Sequence, residues 1–118
     1  MAVSAAPYVH DYWCTDGVEV SQNACKMHVD CYVHSGNVHV VSPEQLLALR
    51  PKCEVAVNIH SWNECSFASI AAWLDILGEL KTPYLFTVSH GARFVHTKTF
   101  GPLTRQWLDS NTELWFLN

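Results

Sequence analysis

Glycine is scarce and scattered in this chain: there are five in 118 residues, and the closest two, Gly91 and Gly101, stand ten positions apart. A glycine-rich turn, which lets a helix N-terminus and bare backbone amides close on a phosphate or dinucleotide, cannot be built from them. Basic charge is also short. Seven Lys plus Arg against eleven Asp plus Glu leave a net charge of −4, and no Lys or Arg precedes Lys26. Such a surface lacks the cations that neutralise a phosphate backbone, so no nucleic-acid partner is expected. No apolar run approaches the roughly 20 residues that span a bilayer, so no membrane role is expected either. The opening Met1-Ala2-Val3-Ser4-Ala5-Ala6-Pro7 has neither the charge nor the apolar block of a leader, and the reading is a soluble, intracellular, cytoplasmic protein. The five cysteines (Cys14, Cys25, Cys31, Cys53, Cys65) are odd in number and include no C-x-x-C pair, which argues against a disulfide framework and for small buried apolar side chains. Gly-x-Ser-x-Gly is absent, removing the serine-hydrolase elbow.

What is present is enough for one core. With 49% apolar and 15% charged residues the chain is not a disordered one, and its length fits a single domain, since a second usually appears only near ~150 residues. Residues 1–24 lack periodicity and read as an irregular arm that could include a short strand; residues 25–118 read as one α/β domain. From Cys25 to His34, alternation puts Cys25, Met27, Val29, Cys31 and Val33 on one face, the pattern of a half-buried strand. Gly36-Asn37 then turns it into Val38-His39-Val40-Val41 as a hairpin. Ser42-Pro43-Glu44-Gln45 combines an N-cap, a proline at the first helical position and a capping-box glutamine, predicting a helix over 43–49 that stops before Pro51.

Residues 54–59 are apolar enough for a strand covered on both faces. Residues 66–80 place Phe67, Ile70, Ala71, Leu74 and Leu77 on a helical stripe, widened by Trp73, Ile76 and Leu80, broad enough to suggest a second layer or a second subunit. Strands are expected at 84–88, 93–97 and 113–117, and a short helix at 101–108. The order β-β-α-β-α-β-β-α-β predicts a small mixed, largely parallel α/β sheet with flanking helices.

The chemistry-bearing run is Asn58-Ile59-His60-Ser61-Trp62-Asn63-Glu64, between the carboxyl end of an apolar strand and the longest helix, where ligands bind in open α/β sheets. His60 and Glu64 are the candidate catalytic groups. Asn58, Ser61, Trp62 and Asn63 are the candidate ligand contacts, with Trp62 able to stack on a flat ligand. A capping role for Ser61 or Asn63 is the plainer alternative. Cys65, near a helix N-terminus and five residues after His60, is a weaker nucleophile candidate, with burial the alternative.

The stretch from Glu54 through Cys65, with Ile70-Ala71-Ala72-Trp73-Leu74 and Tyr84-Leu85-Phe86, resembles the middle strand, helix and following strand of a Rossmann-like S-adenosylmethionine-dependent methyltransferase, nearest to the sugar O-methyltransferases. In that family the strand ends in Asn-x-x-Ser-x-x-Glu-Met, matched here by Asn58, Ser61 and Glu64, with Cys65 in place of Met. Val40-Val41-Ser42-Pro43-Glu44-Gln45-Leu46 is similar to a strand and proline-started helix of the same family, so the likeness spans roughly residues 38 to 88. It implies half of that fold, with the cofactor-binding half absent. Asp11 and Asp16 stand upstream, but no strand-plus-acidic-residue unit there makes a clear ribose-holding site. The expectation is a truncated or degenerate methyltransferase-like domain, not catalytic as an isolated chain, that takes S-adenosylmethionine only if a missing half is supplied.

Seven histidines are about three times the usual share of roughly 2%. The hairpin would make His34 and His39 cross-strand neighbours, with His28 and Asp30 on the same face; these three histidines are the metal candidates, although zinc-type spacing is missing and Cys25, His28 and Cys31 would alternate in face. The alternatives to a degenerate enzyme are therefore a histidine-rich ligand- or metal-binding module, or an interaction protein without catalysis. Exposed sheet edges and the broad helix stripe favour a homo-oligomer, and the polar run favours a small polar ligand.

Overall fold

In a computed structural model of the chain, the structure describes residues 11–30, 37–89, 104–107 and 111–117. They form a mixed α/β protein with two small sheets and three helices, and the chain divides into two compact units, Met1–Arg50 and Pro51–Asn118.

The first unit contains β1 (Tyr12–Thr15), α1 (Glu19–Asp30), β2 (Val38–Val41) and α2 (Pro43–Leu49). β1 and β2 pair in parallel, Tyr12 opposite Val38 through Thr15 opposite Val41. β1 is the short strand allowed for in the lead-in segment. The expected strand at 25–34 is instead helical as far as Asp30, and residues 31–36, with Cys31 and His34, lie outside the described set. The reason is a shared subset of positions: Gln22, Cys25 and Val29 recur at three- and four-residue spacing and turn inward, while Met27, inward in the strand reading, is 73% exposed. Asp16 starts this helix, its carboxylate accepting the Val18 N–H at 2.7 Å while Gln22 Nε2 donates to the Asp16 carbonyl at 2.7 Å. With 25–30 helical, that stretch does not pair with β2, whose strand partner among the described residues is β1. Val29 and Val38 form the small core, with Tyr12, Cys14, Cys25 and Val40 packed on it.

α2 matches its sequence signal residue for residue. Ser42 Oγ accepts from Gln45 N–H at 3.1 Å and Gln45 Oε1 accepts from Ser42 N–H at 2.9 Å, the reciprocal pair of a capping box. Arg50, in the left-handed region at φ 45°, ends it one residue before Pro51.

The second unit contains β3 (Val55–Ile59), a single 3₁₀ turn (Ser61–Glu64), α3 (Phe67–Glu79), β4 (Tyr84–Val88), β5 (Thr104–Trp107) and β6 (Thr112–Phe116). Its sheet order is β3-β4-β6-β5, with β3 and β4 parallel and the other two pairings antiparallel. β2 lies in the other sheet, so only β3 and β4 of the three strands in the resembling segment are parallel neighbours. β5 replaces the helix expected at 101–108: residues 104–107 pair with the free edge of β6, and that ladder overrides local preference. The strand expected at 93–97 falls outside the described residues.

α3 begins at the N-cap Ser66, whose Oγ accepts from Ser69 N–H at 3.2 Å. It ends in a Schellman arrangement, Lys81 at φ 54° with its N–H on the Gly78 carbonyl and Thr82 N–H on the Leu77 carbonyl, both at 3.0 Å. Ile70 is its buried residue, and Trp73, Leu74 and Leu77 pack beside it onto Trp62, Leu85 and Trp115. Phe67, expected in this stripe, is 57% exposed. β3 is covered on one face only. Ala56 and Asn58 turn inward, but Val55, Val57 and Ile59 are 52%, 42% and 41% exposed, contrary to the expectation of a strand covered on both faces.

Candidate functional site

The polar run at 58–64 folds as a closed turn at the carboxyl end of β3. His60 N–H donates to the Val88 carbonyl at 2.8 Å, extending the β3–β4 ladder by one bond, and His60 then adopts φ 66°, which swings the chain into the 3₁₀ turn. Asn58, buried on the helix side of the sheet, fixes the turn from below: its Nδ2 donates to Ser61 Oγ and its Oδ1 accepts from Trp62 N–H at 3.4 Å. The Trp62 carbonyl accepts from Cys65 N–H at 3.1 Å, and the Cys65 thiol donates to the Ser61 carbonyl at 3.5 Å. These bonds account for the sequence pattern, because a short amide at the last inward strand position can reach the turn that follows it.

The candidate residues separate accordingly. His60, Ser61 and Glu64 are exposed around the turn, while Asn58 is buried beneath it. The Asn63 side chain lies outside the described set. Trp62 is in the core against Ile70, Leu85 and Trp115, so its ring is not placed to stack on a ligand. The N-cap of α3 is Ser66, not Ser61. Cys65 uses its S–H as a donor to a carbonyl, not to a base.

Two residues that sequence reasoning passed over complete the site. Asn58 stands opposite Thr87 on β4, and Thr87 opposite Glu113 on β6, so the three form a polar row across three strands. All three are buried, Thr87 to 1% and Glu113 to 0% exposure, on the face that α3 covers. Glu113 Oε2 accepts the Trp115 indole N–H at 3.0 Å. The Thr87 hydroxyl is buried with no hydrogen-bond partner, an arrangement that costs about 1–3 kcal/mol and calls for an explanation. The row sits at the carboxyl ends of the parallel pair, where α/β sheets expose ligands to strand ends and helix N-termini. The available signal was a polar residue at an inward position of an apolar strand, Thr87 in Tyr84-Leu85-Phe86-Thr87-Val88 and Glu113 in Thr112-Glu113-Leu114-Trp115-Phe116.

The two described histidine candidates stand on different elements. His28 is exposed on α1, His34 lies outside the described residues, and His39 on β2 places Nε2 2.8 Å from Asp11 Oδ1 while its ring stacks on Trp13 at 4.2 Å. The cross-strand pairing of His34 with His39 falls on residues outside the described set. Among the described residues no three His, Cys, Asp or Glu side chains converge on a point where a metal ion could be held.

The methyltransferase resemblance implies S-adenosylmethionine, and the described strand-to-helix turns do not fit it. Such a cofactor is held by amides left open at these turns. Here Ser42 and Gln45 satisfy each other after β2, Asn58 and Ser66 take Trp62 and Ser69 N–H after β3, and Asp16 takes Val18 N–H after β1. No family model and no curated relative matches the chain. Among solved structures, a Haemophilus influenzae protein described as a presumed methylase is similar, at 13% identity and a TM-score of 0.46, over 96% of this chain and 82% of its own.

Proposed function

We propose that this chain is a non-catalytic, methyltransferase-like α/β domain that binds a small polar ligand at the β3–α3 junction. The observation that supports this reading is the buried, unpartnered Thr87 hydroxyl, in register between Asn58 and Glu113 and beneath the exposed rim of His60, Ser61 and Glu64. A hydroxyl and a carboxylate side by side suit a ligand rich in hydrogen-bond donors, a polyol or an amine. Substrate turnover is not part of the reading. S-adenosylmethionine is not its ligand in this reading, given a sequence without a glycine-rich turn.

The test is an amide-resolved NMR titration with a panel of small polyols and amines, S-adenosylmethionine serving as a separate arm. Shifts centred on Asn58, Thr87 and Glu113 with a polyol or amine are the expected result, with none from S-adenosylmethionine. Thr87→Val is expected to abolish those shifts while raising stability by about 1 kcal/mol, since it removes a buried hydroxyl that has no partner. A panel that moves none of these amides at millimolar concentration would sink the ligand reading, as would S-adenosylmethionine binding for the cofactor claim.

A second reading, self-association, draws on the outer face of the same sheet. Val55, Val57 and Ile59 lie there beside Tyr84, itself 44% exposed and in edge contact with Phe116 at 5.8 Å. Contiguous apolar surface of this kind marks association. Sedimentation velocity at tens of micromolar is expected to show an oligomer that Val57→Lys converts to monomer; a wild-type monomer at that concentration removes the reading. Among the described residues, no helix is long and apolar enough to cross a membrane.

A further inference from the structure

The strand order of the second sheet leaves one edge open. β3 is its terminal strand, and among the described residues β4 is its sole partner. The His60 N–H donates to the Val88 carbonyl at 2.8 Å, which fixes the direction of the peptide groups along β3. Backbone groups alternate in direction along a strand, and the Val55–Ile59 register runs without a bulge, so Ala56 and Asn58 turn their N–H and C=O towards β4. Those of Val55, Val57 and Ile59 point to the open edge. The same three side chains are the exposed ones on the outer face, so the edge is apolar as well as open among the described residues. Soluble proteins guard such edges with charge, proline or bulges. β5, at the opposite edge, carries Arg105, whereas Val55–Ile59 has none of these devices.

We propose that β3 pairs antiparallel with β3 of a second copy across a two-fold axis at Val57, joining the two sheets through their edges. This pairing rests on the self-association reading and gives it a geometry. A two-fold interface requires every contact to be returned. Centred on Val57, the outward groups of that residue meet their own copies, while Val55 meets the partner's Ile59 and Ile59 the partner's Val55, each pair exchanging two hydrogen bonds. A slip of one residue sets Val57 against Ala56, whose backbone groups are committed to β4 and whose side chain lies on the other face. A slip of two carries one of the three pairs off the end of the strand. The full register also brings Glu54 opposite the partner's His60, twice by symmetry, so an acid faces an imidazole where like charges would repel. Opposed side chains share a face, and Val55, Val57 and Ile59 of both copies therefore form one apolar stripe beside the Tyr84 of each.

Sedimentation velocity and residue-resolved amide exchange on the full chain test the pairing together. The expected species is a dimer in which the Val55, Val57 and Ile59 amides exchange about tenfold more slowly once roughly nine-tenths of the chains are associated. Ala56 and Asn58, bonded to β4, should exchange at rates that do not depend on concentration. Val57→Pro removes the central N–H on the side of the strand where proline is tolerated, and it keeps an apolar side chain on the outer face. The variant is expected to keep its far-UV circular dichroism and to weaken the dimer at least about tenfold, for the loss of two hydrogen bonds. A dimer whose three outward amides exchange equally fast at every concentration, or one that the proline variant retains in full, would overturn edge pairing and leave association through the outer face standing. A wild-type chain that stays monomeric would remove both. The wild-type exchange pattern decides the matter even if the variant fails to fold.

Discussion

Replacing Trp115 with alanine is expected to lower the stability of the second unit by about 3–5 kcal/mol, the range for deleting a large aromatic from a core. The indole is 1% exposed and belongs to the cluster of Trp62, Ile70 and Leu85, so three buried side chains lose a shared wall at once. It also supplies the N–H that Glu113 Oε2 accepts at 3.0 Å, and a fully buried carboxylate that loses a donor adds desolvation cost to the cavity. Trp115→Phe separates the contributions by keeping much of the ring volume while removing the donor. Glu113→Gln complements it, exchanging the charge for an amide that still accepts the indole proton. Urea titrations followed by far-UV circular dichroism give the three values. A domain of this size has only about 5–15 kcal/mol in total, so the alanine variant should be largely unfolded at moderate denaturant. A measured loss below about 1 kcal/mol would mean that Trp115 is not the centre of this core.

Cys14 is expected to alkylate at least roughly a hundredfold more slowly in the folded chain than in the unfolded chain at pH 8, because the thiolate is the nucleophile. Burial pushes its thiol up to about 12 from 9.0, with the Cys25 charge and the hydrogen bond to Cys25 adding to the rise. Iodoacetamide labelling with peptide-resolved initial rates checks this, and equal rates in the native chain and in urea would remove it. The same shift has a stability consequence with a definite sign. The fold favours the protonated thiol, so the contribution is complete below pH 9 and is lost as pH climbs towards 12. Tyr12 acts in the same direction, since burial raises its phenol and the two neighbouring thiols raise it further.

Local signals carried across from sequence to structure where one residue type had one physical use. Ser42, Pro43, Gln45 and Pro51 set both ends of α2, and the boundaries of β4 are those of its apolar run. They failed where two periods share positions, as with Cys25 and Val29, which serve a strand and a helix equally until Met27 is seen to face solvent. They failed again at 104–107, where the partner edge of β6 decides the conformation and no local residue announces it. Of the candidate site, the turn at 58–64 was legible because Asn58, Ser61 and Glu64 fall within seven consecutive residues. Thr87 and Glu113 were not, because only strand register places them beside Asn58, 29 and 55 positions away along the chain.

The break at Arg50 and Pro51 divides more than the contact pattern. Val29 and Val38 anchor one cluster, and Trp62, Ile70, Leu85 and Trp115 the other, so each unit has its own store of buried apolar surface. Units of fifty and sixty-eight residues fall in the size range where a core alone is marginal. Their unfolding therefore need not coincide, and one melting temperature is not an adequate description of such a chain. Among the described residues the smaller unit has the fewer buried side chains, so it is the half expected to open first as denaturant is raised.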